Sequence, residues 1–179
     1  MKIYQLKITL KHIKPPIWRR IEVPASIKLG KLHEVIQIVM GWHDSHLHAF
    51  IIGQASYGKP DPEFGADIRN ERNVRLDSLV DAGGTFMYEY DFGDGWIHEI
   101  KAEKVVDADP AARYPYCIAG SRACPPEDCG GPWGYKELLR TIEDPAHPEH
   151  EAMIEWIGGE FDAEFFDGEE VNRALLGAK

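Results

Sequence analysis

Residues 85–104 read TFMYEYDFGDGWIHEIKAEK, an alternation that fits an antiparallel hairpin and little else. Phe86, Tyr88, Tyr90 and Phe92 share one parity, with Met87, Glu89 and Asp91 on the other. After the turn, Trp96, His98, Ile100 and Ala102 alternate with Ile97, Glu99, Lys101 and Glu103. A period of two puts the first set of each strand on one sheet face. Asp94-Gly95 lies between the runs, and an Asp-Gly pair suits the two positive φ angles of a type I′ turn. The aromatic face of this hairpin is expected in the core.

The rest of the chain is organised around that hairpin. Residues 3–12 alternate in the same way, Tyr4, Leu6, Ile8 and Leu10 opposite Gln5, Lys7, Thr9 and Lys11. Pro15-Pro16 breaks this strand, and IWRRIEVP is a second, ended by Pro24 and expected to pair antiparallel with the first. Over 27–41, Leu29, Leu32, Ile36 and Val39 recur at helical steps, with Ser26 as the better N-cap and Gly41 as the stop. HLHAFIIG reads as a third strand, and residues 54–84 as loop with a short strand or turn at VRLDSLV. Residues 107–134 have no period and form a long Cys/Pro/Gly-rich loop. A stretch of that length is either ordered by something or functional. GYKELLRTI, HPEHEAMIEWIG and FDGEEVNRALL read as closing helices; Pro148 suits a first turn, and Asp167 with Glu170 makes a capping-box pattern. Strands first and helices last predict a single α+β domain over 1–179 with a largely antiparallel sheet.

Charge and composition narrow the function classes. Net charge is −10, but residues 1–60 carry nine Lys/Arg against three Asp/Glu, and residues 61–179 eleven against twenty-seven. This balance disfavours nucleic acid as a partner and suits attraction between the two parts, or to a protein. No apolar run approaches the ~20 residues of a membrane span. MKIYQLKITLKHIKPP lacks the apolar stretch and cleavage site of a signal peptide. Three cysteines, an odd number, favour a reducing compartment, so a cytosolic location is expected.

Three groups of residues are candidates for chemistry. In GWHDSHLHAF, His43, Asp44, His46 and His48 are crowded, and strand parity puts His46 and His48 on one face with His98 of the hairpin. Two or three His with a carboxylate suit zinc or iron; hydrogen-bonded core histidines are the alternative. Cys117, Cys124 and Cys129 are spaced C-x6-C-x4-C, unlike the C-x2-C pairs of most structural zinc sites; free thiols are the alternative to a zinc-ordered loop. No other cofactor is expected. Around Trp18, residues Lys2, Lys7, Lys11, Lys14, Arg19 and Arg20 offer a stacking surface beside cations, the recipe of single-strand binding, or a solvated face with Arg19 turned inward to a carboxylate. P-loop, G-x-S-x-G and H-E-x-x-H patterns are absent, and DFG at 91–93 has neither a Gly-rich loop nor H-R-D before it.

Several of these segments, PPIWRRIEVP, LHEVIQIVMGWHDSHLHAF, YEYDFGDGWIHEI, CPPEDCGGPWGY and DPAHPEHEAMIEWIGGEFDAEFFDGEEVN, occur in the order found in the root-inducing-plasmid ORF-three-like (pRiA-type) family, which the chain resembles over nearly its whole length. The resemblance implies a small cytosolic prokaryotic protein, found on chromosomes and mobile elements, with no accepted catalytic residues. The resolvase label carried by some members needs a basic DNA-binding domain, whereas residues from 137 onward hold three Lys/Arg against twelve Asp/Glu. The quoted segments gather Trp18, Arg19, Arg20, Trp42, His46, His48, Asp91, Asp94, Trp96, His98, Glu127 and Asp128, which are expected to line one pocket if the segments converge. The leading expectation is a non-catalytic binding or regulatory module for a protein or small ligand. The alternatives are a metal-dependent hydrolase using His46, His48 and His98 with Asp91 or Asp94, and a single-stranded nucleic-acid binder.

Overall fold

In a computed structural model that describes residues 1–61 and 67–178, the first strands are β1 (Lys2–Leu10) and β2 (Trp18–Pro24), paired antiparallel with Leu6 opposite Ile21. Helix α1 (Leu29–Met40) follows, then β3 (His48–Ile52), β4 (Ala55–Gly58) and β5 (Ile68–Asn70). The hairpin strands are β6 (Thr85–Tyr90) and β7 (Trp96–Asp107), and β8 (Tyr116–Ser121) comes last. Together they make one sheet in the order β5-β4-β3-β6-β7-β1-β2-β8, antiparallel except for β4 against β5. Helices α2 (Gly131–Glu143), α3 (His150–Trp156) and α4 (Gly168–Gly177) close the chain, so the fold is α+β as its pattern predicts. Among the described residues, no helix is long and apolar enough to cross a membrane.

The alternating residues of β1, β6 and β7 are buried as their parity requires: Leu6, Ile8, Phe86, Tyr88, Tyr90, Trp96, His98 and Ile100 are each under 3% exposed. The stripe of α1 covers this face with Leu29, Leu32, Val35, Ile36 and Val39. Each such aliphatic side chain removed from water contributes roughly 1.5–3 kcal/mol. Gly41 ends α1 in the left-handed region at φ 99°, but its N-cap is Lys28, not Ser26, and no side chain caps it. The backbone does that work: Leu29 N–H donates to Val74 O.

Four further expectations are corrected. The hairpin turn is longer than Asp94-Gly95, because Tyr90 pairs with Trp96 and leaves five residues between the strands. Positive φ falls on Asp91 (55°) and Gly95 (67°), and the Asp91 carboxylate accepts from Gly93 N–H and Asp94 N–H, an Asx turn that fixes the longer loop. β4 and β5 lie in the segment expected as loop; strands of four and three residues are too short to show a period. Residues 62–66 of that segment lie outside the described residues. The aperiodic 107–134 run contains β8, ordered by pairing with β2, and the start of α2. Pro148 precedes α3 rather than occupying its first turn, whereas the Asp167 cap is as expected, accepting from Glu169 and Glu170 N–H.

Two side chains close the β2–β8 end of the sheet. Arg19 is turned inward, but its partners are carbonyls, Val39 O at 2.7 Å, Trp18 O at 2.9 Å and Ser121 O at 3.0 Å, rather than a carboxylate. Its guanidinium also lies 4.4 Å from the centre of the Phe166 ring. Asn172 of α4 accepts from Cys117 N–H through Oδ1 and donates to Cys117 O through Nδ2.

At the start of α2 the chain doubles back so tightly that a methyl group on Gly134 would overlap the Cys129 carbonyl. Gly134→Ala is expected to cost about 1–3 kcal/mol, the usual range for overpacking, read as a lower urea midpoint with unchanged slope.

Candidate functional site

The polar side chains of this protein gather at the end of the sheet where α1, β3 and the β6–β7 loop meet. They form two clusters rather than one pocket.

The first cluster lies under α1. His33 and Gln37, one turn apart on the buried stripe, reach the Tyr88 hydroxyl at the centre of the sheet, at 2.8 and 3.0 Å. The bonding order can be read off the donors. Gln37 Nε2 gives its proton to the Tyr88 oxygen, while Gln37 Oε1 accepts from Asp44 N–H at 2.8 Å. Tyr88 then donates to His33 Nδ1, since leaving that buried proton unpaired would cost about 1–3 kcal/mol. His33 must therefore carry its proton on Nε2, which donates to Asp44 Oδ1 at 2.8 Å. Burial, helped by the neighbouring His48 ring, pulls the His33 pKa down to about 4, so the ring is neutral. His48 stacks on it with ring centres 3.5 Å apart and planes 6° apart, and its Nε2 lies 2.9 Å from Glu71 Oε2. The side chains of His33, His48 and Glu71 are 2%, 1% and 4% exposed. His33 and Glu71 floor a cleft of about 410 Å³ whose rim carries Lys28, Lys31, Lys59 and Arg72, and His48 lies beneath His33 outside its lining.

The second cluster surrounds His46. Its Nε2 lies 2.9 Å from Asp128 Oδ1, 3.6 Å from Asp91 Oδ2 and 3.8 Å from Glu127 Oε2. Tyr90 O–H donates to the Glu127 carboxylate at 3.1 Å, and His43 N–H donates to the same group at 2.9 Å. Burial and the Glu127 charge push the Tyr90 pKa up, so the phenol keeps its proton. Three separate loops supply these groups, and Asp91 and Asp128 both sit at positive φ, 55° and 57°.

The residues expected to line one pocket come together only in part. His46, Asp91, Glu127 and Asp128 converge, with Trp42 packed on Tyr90 at 4.9 Å and donating from Nε1 to Pro125 O. Asp94 stands beside them as a tie, accepting from Gly130 N–H. Trp96 is buried core next to Trp42. His46, His48 and His98 do not form a triad. His46 lies outside β3, so strand parity does not bind it to His48, and His98 is buried with Nδ1 against Tyr88 O. Burial lowers its pKa to about 4. The three thiols are free, and among the described residues the groups with ligand atoms mutually within 4.8 Å are His33/Asp44/His48 and His46/Asp91/Asp128, neither containing a cysteine. Trp18 and Arg20 belong elsewhere on the sheet: Lys7 and Arg20 lie over the Trp18 ring at 5.3 and 5.2 Å, and Glu103 holds Arg20 through two hydrogen bonds. The residues sequence reasoning missed are His33, Gln37, Glu71 and Tyr88 in its bonding role. Two polar residues four apart on an otherwise apolar helix stripe were the available signal.

The sequence model described as plasmid pRiA4b ORF-3-like protein matches residues 2–170. The chain belongs to that family. Within the pRiA4b ORF-3-like family, it is 42% identical over 176 residues to the uncharacterized protein y4hQ of Sinorhizobium fredii (strain NBRC 101917 / NGR234), covering 97% of this chain and 90% of that one. The crystal structure of MM3350, a protein of unknown function from Methanosarcina mazei Go1, superimposes with a TM-score of 0.85 at 37% identity, covering 94% of this chain and 97% of that one. The fold of this chain is therefore shared with the Methanosarcina mazei protein.

The buried histidines give the protein an acid limit. His33 and His98 titrate near 4 when folded and near the ordinary 6.5 when unfolded, so the unfolded chain binds more protons between those values. Stability is complete above about 6.5 and is lost as pH falls toward 4, by roughly 3 kcal/mol for each ring. Urea midpoints are expected to drop between about pH 7 and pH 5, and to drop less in His98→Leu.

Proposed function

We propose that the protein is a cytosolic, non-catalytic binding module that captures a small anionic ligand in the cleft over the His33–His48 stack. The carrying observation is a cleft of about 410 Å³ whose floor residue His33 is hydrogen-bonded through both ring nitrogens, with four cations on the rim. That volume is within the range of small-ligand sites, roughly 300–1,000 Å³. Lys28, Lys31, Lys59 and Arg72 outnumber Glu34, Asp44 and Glu71 around it, in a chain whose net charge is −10. Lys31 and Lys59 are ion-paired with Glu34 and Asp44, so Lys28 and Arg72 are the cations that draw an anion to the cleft.

The floor favours holding over turnover. The His33 Nδ1 lone pair is taken by the Tyr88 hydroxyl and its Nε2 proton by Asp44, so this ring has no free basic nitrogen to accept a proton from a ligand. Its neighbours keep it in one orientation, as a rigid wall.

Titration with inorganic phosphate and with citrate, followed by the histidine side-chain NMR signals, checks this reading. Saturable shifts of His33 and His48 are expected, weakened at least about tenfold in Lys28→Gln/Arg72→Gln and at high salt. Flat signals up to about 10 mM of either anion would remove the proposal.

A further inference from the structure

The His46 cluster is separate from that cleft, and none of its groups lines it. Its geometry poses a question of its own. Asp91, Glu127 and Asp128 bring three carboxylates to within 3.8 Å of a single imidazole nitrogen. Asp91 is buried and Glu127 mostly so, where like charges repel more strongly than in water.

His46 Nε2 supplies an independent observation. The atom is shielded from solvent and makes no hydrogen bond, although Asp128 Oδ1 is only 2.9 Å away. At that distance the failure is one of direction: the carboxylate lies off the axis on which an imidazole nitrogen donates or accepts. With Asp128 off that axis and Asp91 beyond hydrogen-bond reach, the nitrogen is left unpaired among groups whose ligand atoms lie within 4.8 Å of one another, the spacing of ligands about a common centre. A metal ion takes the axial position itself, and its other ligands then flank the nitrogen at about 3 Å.

The carboxylates are also held from behind as metal ligands are. Asp91 Oδ1 is occupied by Gly93 and Asp94 N–H, which leaves Oδ2 facing His46. Glu127 is held by Tyr90 O–H and His43 N–H. Hydrogen bonds of this kind fix ligand orientation in metal sites and typically change affinity about 10–100-fold.

We propose that His46, Asp91 and Asp128 bind one divalent first-row transition-metal ion, with Glu127 as a charged neighbour of the site. One imidazole with two carboxylates suits Mn²⁺, Fe²⁺ or Zn²⁺; the nitrogen ligand disfavours Mg²⁺ and Ca²⁺. The ion offsets the three negative charges and ties the α1–β3 loop, the β6–β7 loop and the segment before α2 to one point. It is attached to the cleft only through the chain, since Asp44 of the cleft and His46 share a loop.

The test uses the full chain after treatment with chelator. Mn²⁺ binding is read from loss of the free-ion EPR signal and Zn²⁺ binding by calorimetry. One ion per chain is expected. Asp128→Asn, on an exposed loop residue, and His46→Gln should each weaken binding at least about tenfold. Glu99→Gln, a half-exposed carboxylate on β7 outside both clusters, should bind as the wild type does. No binding of either ion at about 1 mM would overturn the proposal. Loss in Asp44→Asn with Asp128→Asn unaffected would overturn it too, by moving the ion to the His33–His48 group. The cleft proposal fails or stands on phosphate and citrate, so the two outcomes are separable.

Discussion

Tyr88 places a hydroxyl in the middle of an apolar sheet face, and much of the structure follows from where that hydroxyl's hydrogen bonds must go. It is fully buried, and burial raises its pKa well above the usual phenol value, so it cannot escape the problem by ionising. It has to be met by groups brought from above. Helix α1 does this with His33 and Gln37, which fixes both the rotation of the helix and its height over β6. A purely aliphatic interface would tolerate small slides of the helix; two hydrogen bonds to one oxygen do not.

The consequences run outward from that point. Fixing His33 fixes its tautomer, which positions Asp44 at the rim, and Gln37 holds the backbone of the same residue. The loop from Gly41 to Leu47 is thereby anchored at its midpoint, and that loop carries His46 to the opposite side, toward the acids of two other loops. One buried network thus sets the geometry of both clusters. Neither is assembled by its own interactions alone.

The long alternating segments were legible in the sequence because burial acts on them every second residue. β1, β2, β6 and β7 have the expected faces, and the stripe of α1 is where its spacing put it. What could not be read was set by contacts between distant residues. β4 exists because β3 offers it an edge, β5 because β4 does, and β8 because β2 does. The candidate site divided for a similar reason. Parity paired His46 with His48, but the strand begins only at His48, and one residue outside the ladder is enough to free a side chain from the period. Glu71 carries no local signal at all; its role depends on a helix glycine, Gly30, that lets its carboxylate approach.

The Asn172 amide on β8 has a meaning beyond packing. β8 is the last strand of an open sheet, with Tyr116 and Ile118 exposed on it, the kind of border on which a second chain can add a strand. An incoming strand would need the N–H and C=O of Cys117, and both are already taken by one side chain that imitates a peptide group. The sheet is interrupted at its own border by a single residue of the final helix. The chain ends its growth by hydrogen-bonding to itself, which keeps one molecule's sheet from becoming the first layer of many.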